Sequence, residues 1–147
     1  MSVQSQEKHM RKLAELLSRD LGYIHGERES GPNGDKKVFL NTGKTFLRAL
    51  AKDLGLKEYY VSANPGGIAV SGEHSLMGTW GDTGIFVQLG CGQENALLYR
   101  AIRSMNDYTG GQNHFVSLVY FQQAYYSWLL HELSAVRKEG VRYGWAA

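Results

Sequence analysis

The segment 66–92 constrains the fold of this 147-residue chain more than any other, because it contains eight glycines separated by short apolar runs. Glycine adopts positive φ angles without steric cost, and β-branched or aromatic runs between such residues are typical of tight β-hairpins. The runs at 68–71, 76–80 and 85–89 therefore predict strands of a small antiparallel sheet. Alternating side chains over 58–63 predict a further strand before them.

Amphipathic helical patterns flank this segment on both sides. Apolar residues recur at three- and four-residue spacing over 6–21 and 42–54, and again over 93–105 and 116–137. This order predicts an α+β fold, a small antiparallel β-meander of three to four strands flanked by two N-terminal and two C-terminal helices.

The length predicts one domain over 1–147. A flexible loop is predicted over about 26–37 and a short C-terminal tail over 140–147, because glycine and charged or polar residues interrupt the apolar patterns there.

The composition favours a soluble protein of the cytoplasm. Its single cysteine, Cys91, excludes an intramolecular disulfide and a cysteine-based zinc cluster. The most apolar run, 115–130, is about 16 residues long, shorter than the roughly 20 that span a bilayer. The first twelve residues lack the apolar core of a secretory signal. We therefore expect no membrane contact.

Two short motifs match parts of catalytic signatures but lack essential residues. The sequence Thr-Gly-Lys-Thr at 42–45 matches the end of a P-loop, yet Val38 stands where that loop requires its first glycine. Residues that start a helix explain this motif better. The sequence Asp-Thr-Gly at 82–84 matches aspartic proteases, but between two predicted strands it is typical turn chemistry.

The five histidines are scattered without metal-ligand spacing. We therefore expect neither a metal nor a cofactor.

Cys91 is the candidate nucleophile. It follows a predicted strand and precedes a predicted helix, whose N-terminus would lower the pKa of the thiol. His114 is a candidate base, and Asn113 or Asp107 could orient it. These residues define an alternative hypothesis, a small cysteine-dependent enzyme. Lone cysteines are also common as inert core residues.

A basic row on the second predicted helix favours binding instead of catalysis. Lys44, Arg48 and Lys52 follow one another at four-residue spacing, which places their cations on one side of a helix. Such a row suits acidic protein surfaces or phosphates. The net charge of +2 is too small to indicate nucleic acid by itself.

The loop 106–114 is a second candidate contact surface, because rigidly presented Tyr, Asn and Gln side chains suit recognition. It presents Tyr108, Gln112 and Asn113 around two glycines. The last predicted helix is apolar nearly all round, which favours burial or a homo-oligomer formed through its aromatic side chains.

These features predict a non-catalytic binding protein that occupies the surface of a macromolecular partner. A protein partner is expected first, and nucleic acid bound through the basic row is the second choice. In size and general make-up the chain is similar to small cytoplasmic accessory proteins of phages and plasmids. That similarity implies a function such as inhibition of a host defence complex.

Overall fold

The computed structural model describes residues 3–18, 35–64, 73–90, 95–107 and 111–145. Its helices are α1 (Val3–Leu17), α2 (Asp35–Asp53), α3 (Leu118–Gln122), α4 (Tyr126–Ser134) and α5 (Val136–Arg142). Its strands are β1 (Glu58–Asn64), β2 (Glu73–Thr79), β3 (Gly84–Leu89), β4 (Asn95–Ile102) and β5 (His114–Ser117).

The five strands form one antiparallel sheet in chain order, β1-β2-β3-β4-β5. The predicted α+β meander with helices before and after it is therefore confirmed, with more strands than the three to four expected. The strand predicted at 68–71 lies outside the described residues, as does the predicted loop as far as 34. Helix α2 begins at Asp35, before the end of that loop, and α5 extends into the predicted tail.

The helix predicted over 93–105 is wrong, because most of this segment forms β4. Its apolar residues fit either a helix or a strand, and pairing with β3 decides between them. In that pairing Leu97, Tyr99 and Ala101 stand opposite Leu89, Val87 and Ile85. All six side chains are buried, so the strand covers one face of the core.

The single long helix predicted over 116–137 is also wrong. The segment begins as β5 and continues as three short helices. Ser117 starts α3, since its Oγ accepts a hydrogen bond from the backbone N–H of Val119 at 3.3 Å. Ala124 has a φ of 56°, a left-handed conformation that no helix continues through. The chain turns there and restarts as α4.

The core lies between one face of the sheet and a layer of helices. Alternate residues of β2, β3 and β4 point into it, while α1 packs on α2 and α3. Phe46 of α2 joins the helices, because its ring centroid lies 5.7 Å from that of Phe121 and 6.2 Å from that of Tyr126. The domain therefore has two layers, with every described helix that contacts the sheet on its core-facing side.

A close contact between α2 and β2 explains the Thr-Gly-Lys-Thr motif. These residues lie inside α2 and do not start it. A Cβ placed on Gly43 would lie 2.5 Å from Cε1 of His74. The His74 ring cannot easily move, because its Nε2 donates to the Leu40 carbonyl at 2.9 Å and its edge packs on Phe39. Gly43 thus lets the helix approach the sheet.

We expect Gly43→Ala to destabilise the protein by about 1–3 kcal/mol through overpacking. At an open helical position the same change stabilises by about 1 kcal/mol, so the sign alone is informative. Denaturant unfolding measures the effect, and His74→Ala supplies the matched background because it removes the obstructing ring. An equal cost of Gly43→Ala in both backgrounds would contradict the contact.

Stability should also fall in acid because of His74, whose side chain is fully buried. Burial lowers its pKa to about 4; the bond to Leu40 opposes this shift and the charge of Lys44 adds to it. The unfolded chain takes up a proton near pH 6.5, so it binds more protons than the folded chain between these values. Stability therefore rises with pH across this window.

We expect His74 to contribute a loss of about 2–3 kcal/mol between pH 7 and pH 4. His74→Gln should remove this part of the pH dependence, measured by denaturant unfolding at each pH. His131→Gln, on the exposed side of α4, serves as the comparison variant. Identical slopes in the wild type and His74→Gln would exclude the buried neutral histidine.

Candidate functional site

The exposed cations of α1 and α2, two helices that pack on each other, are here called the basic helical face. It consists of Lys8, Arg11 and Lys12 on α1 together with Arg48 and Lys52 on α2, all of them solvent-exposed. The two helices pack against each other, and their buried stripes point to the core. The charged sides of both helices therefore face solvent.

A groove of about 450 Å³ opens on this face. It is lined by Lys8, His9, Arg11, Lys12, Glu15 and Thr42. Burial, with a smaller contribution from Lys8, lowers the pKa of His9. Gln6 holds the ring of His9, because its Oε1 lies 3.1 Å from Nδ1 of the histidine. The contact with Gln6 thus fixes the His9 ring within the groove.

Charge is unevenly distributed over the described residues. Over 3–18 and 37–53 there are seven Lys and Arg residues and three Asp and Glu residues. The described ranges 54–64, 73–90, 95–107 and 111–145 carry six of each kind, and the opposite charges at 35 and 36 cancel. The whole positive excess of the described chain therefore lies on the helices that form the basic helical face.

The structure places the predicted basic row unevenly. Arg48 and Lys52 are exposed, whereas Lys44 is half-buried. Lys44 lies close enough to His74 for its charge to help lower the pKa of that histidine. A change at Lys44 would therefore act on the core as well as on the surface.

The predicted loop residues do not join the basic helical face. Gln112 and Asn113 are exposed just before β5, while Tyr108 lies outside the described residues. Helix α2 packs on β1 and β2, at the opposite edge of the sheet from β5. The α1 cations were not among the predicted binding residues, although Lys8 and Lys12 stand four residues apart as the cations of the α2 row do.

His114 is bound within a network of polar side chains. Its Nε2 lies 2.9 Å from Oε2 of Glu139, and its ring stacks on Tyr99 with centroids 5.1 Å apart. Tyr143 donates to the other oxygen of Glu139 at 2.8 Å. Burial, with the nearby carboxylates of Glu132 and Glu139, raises the pKa of Tyr99 to about 12. These contacts hold α5 against the sheet.

The Cys91–His114 hypothesis extends beyond the described residues, because Cys91 lies outside them. Its described neighbours Gly90 and Asn95 sit at the end of the sheet where Asn95 pairs with Ser117. His114 pairs with Tyr99, four residues further along β4, a distance of about 13 Å along a strand. A carboxylate oriented toward the imidazole is present in Glu139, and the sequence analysis did not identify it.

Alkylation of the native protein separates this enzyme hypothesis from a binding function. An activated thiol reacts faster than a free cysteine at neutral pH and titrates below its ordinary pKa of about 8.5. We expect an ordinary rate with iodoacetamide, unchanged by His114→Gln. A fast reaction that slows in His114→Gln, together with loss of activity in Cys91→Ser, would establish the enzyme instead.

The aromatic residues near the C-terminus form a partly exposed group. Tyr120 stacks on Trp128 with centroids 4.2 Å apart, and Tyr125 lies 6.3 Å from Tyr120. Tyr120 is 37% exposed and Tyr125 48% exposed. Self-association through this segment remains a prediction.

No protein-family model, curated protein or solved structure matches this chain. In the part of the chain that the structure describes, no helix is both long and apolar enough to cross a bilayer. Over the same residues, no group of three or more His, Cys, Asp or Glu side chains could hold a metal ion.

Proposed function

We propose that this protein is a non-catalytic binding protein that occupies an acidic surface of a macromolecular partner through its basic helical face. The observation that carries the proposal is the confinement of the positive excess to α1 and α2, against an even balance elsewhere in the described ranges. Clustered charge of one sign steers association with a partner of opposite sign and selects against others.

The distribution of charge on these helices favours a protein partner over a nucleic acid. Glu7 and Glu15 are interspersed with the α1 cations, and Glu15 pairs with Lys12 at 3.9 Å. A uniform row of phosphates would be repelled by such carboxylates, whereas a protein surface can place a cation opposite each of them. The groove adds a concave surface for a protruding acidic side chain.

The scaffold holds the basic helical face rigidly. The Gln6 amide donates to the Phe46 carbonyl at 3.0 Å, which joins α1 to α2. The Tyr126 hydroxyl donates to the carboxylate of Asp53 at the end of α2. Rigid presentation lowers the entropic cost of binding, so these buried contacts support recognition without touching the partner.

A protein of this kind acts by covering a surface that another molecule would otherwise bind. Covering an acidic surface of a larger assembly blocks whatever that surface normally binds, which is how a small accessory protein of a mobile element would inhibit a host complex in the cytoplasm. Both the inhibitory role and the cytoplasmic location belong to the proposal.

Charge reversal tests the surface. Arg48→Glu with Lys52→Glu should weaken partner binding at least about tenfold and reduce its dependence on salt, because exposed charges control association. Lys44 is left unchanged because of its effect on His74. Lys138→Glu with Arg142→Glu provides the matched control, since it changes the net charge equally on the exposed side of α5.

The partner is captured from host lysate on the immobilised protein, with and without nuclease treatment, and affinity is then measured for each variant. Thermal unfolding confirms that both double variants remain folded. Equal loss in the two double variants would show that only overall charge matters. Capture abolished by nuclease would replace the protein partner with nucleic acid.

A further inference from the structure

The sheet has a second face, here called the outer sheet face, which points away from the helices. Its central row runs through Tyr60, Met77, Phe86 and Arg100 on four successive strands. The contacts that hold the described helices to the sheet are all on the other side, where His74 meets α2 and His114 meets α5. Within the described residues, the outer sheet face is therefore a surface without a helical cover.

Rigid aromatic side chains stand on this face. Tyr60 is 50% exposed and Phe115 is 53% exposed, on the two edge strands. The Tyr60 hydroxyl donates to Sδ of Met77 at 3.8 Å, and the Arg100 guanidinium lies 4.9 Å from the centre of the Phe86 ring. Tyr, Phe, Met and Arg are the residues enriched in protein interfaces.

The polar side chains of the face are hydrogen-bonded to one another. Gln88 donates to Glu73 at 2.8 Å, and Arg100 donates to Asn113 at 3.3 Å. Burial of this face against another protein therefore costs less than burial of solvated polar groups. These hydrogen bonds order the polar side chains of the face.

We infer that the outer sheet face binds a second copy of this chain, face to face, in a symmetric dimer. The face carries both signs of charge, and their placement is self-complementary. Glu73 on β2 and Arg100 on β4 lie two residues to either side of the level of Gln88 on β3. A two-fold axis in the plane of the interface at Gln88 brings each Arg100 opposite Glu73 of the other copy, as isologous contacts require.

The charges also argue against a nucleic acid on this face, because Glu58 and Glu73 share it with Arg100.

The size of the face sets the strength of the dimer. Five strands of four to eight residues give a projected area of about 500 Å². A face of this size is small beside the roughly 800 Å² of accessible surface that each partner buries in a standard interface, so we expect weak, reversible dimerisation.

Sedimentation velocity over a concentration series, from low micromolar to submillimolar, tests this inference. We expect the wild type to dimerise, and we expect Glu73→Arg or Arg100→Glu alone to weaken the dimer at least about tenfold, because like charges then meet. The double variant Glu73→Arg with Arg100→Glu should recover most of the affinity, which a merely misfolded variant cannot do. Circular dichroism confirms the fold of each variant.

Tyr125→Glu is the control for the C-terminal aromatic group and should leave the dimer intact. A wild type that stays monomeric throughout, or a double variant that is not rescued, would overturn the inference. So would dissociation by Tyr125→Glu. The test is independent of the proposed function, since Arg48→Glu with Lys52→Glu should leave the dimer unchanged while weakening partner capture.

Discussion

The contact between Gly43 of α2 and His74 of β2 sets the distance between the helical layer and the sheet. Because Gly43 has no side chain, the His74 imidazole fits beneath α2 and donates to the Leu40 carbonyl of the same helix. The opposite side of α2 is thereby turned toward solvent, and Gln6 fixes α1 beside it through the Phe46 carbonyl. These buried contacts orient the basic helical face.

The sequence allowed the fold class to be predicted, since glycine spacing and period-two alternation are local signals. Whether residues 95–102 form a helix or a strand could not be predicted from the sequence. Their apolar residues Leu97, Leu98, Ala101 and Ile102 satisfy a helical pattern equally well. Only pairing with β3 decides, and pairing is a tertiary property. The break at Ala124 was equally hidden, because the apolar helical pattern continues through it while the backbone turns left-handed.

The α2 part of the basic helical face could be predicted because its spacing is a local signal. Four-residue spacing on one helix is visible in the sequence, whereas the pairing of α1 with α2 is not, so the α1 cations were missed. A four-residue step also overshoots a full turn by about 40°. Across two steps, Lys44 is therefore rotated by about 80° from Lys52 toward the sheet. This rotation explains why Lys44 is half-buried near His74 while Lys52 stays exposed.

The two outward surfaces have complementary physical properties. Long flexible cations on the helical side favour fast encounter, whereas rigid rings on the sheet side favour slow dissociation. Because the surfaces lie on opposite sides of a two-layer domain, one can be covered without obstructing the other. A dimer joined through its sheets would direct two basic helical faces outward, away from the shared interface. A partner that displays its acidic surface more than once would then be held by both faces, with a gain in avidity that needs no new contact.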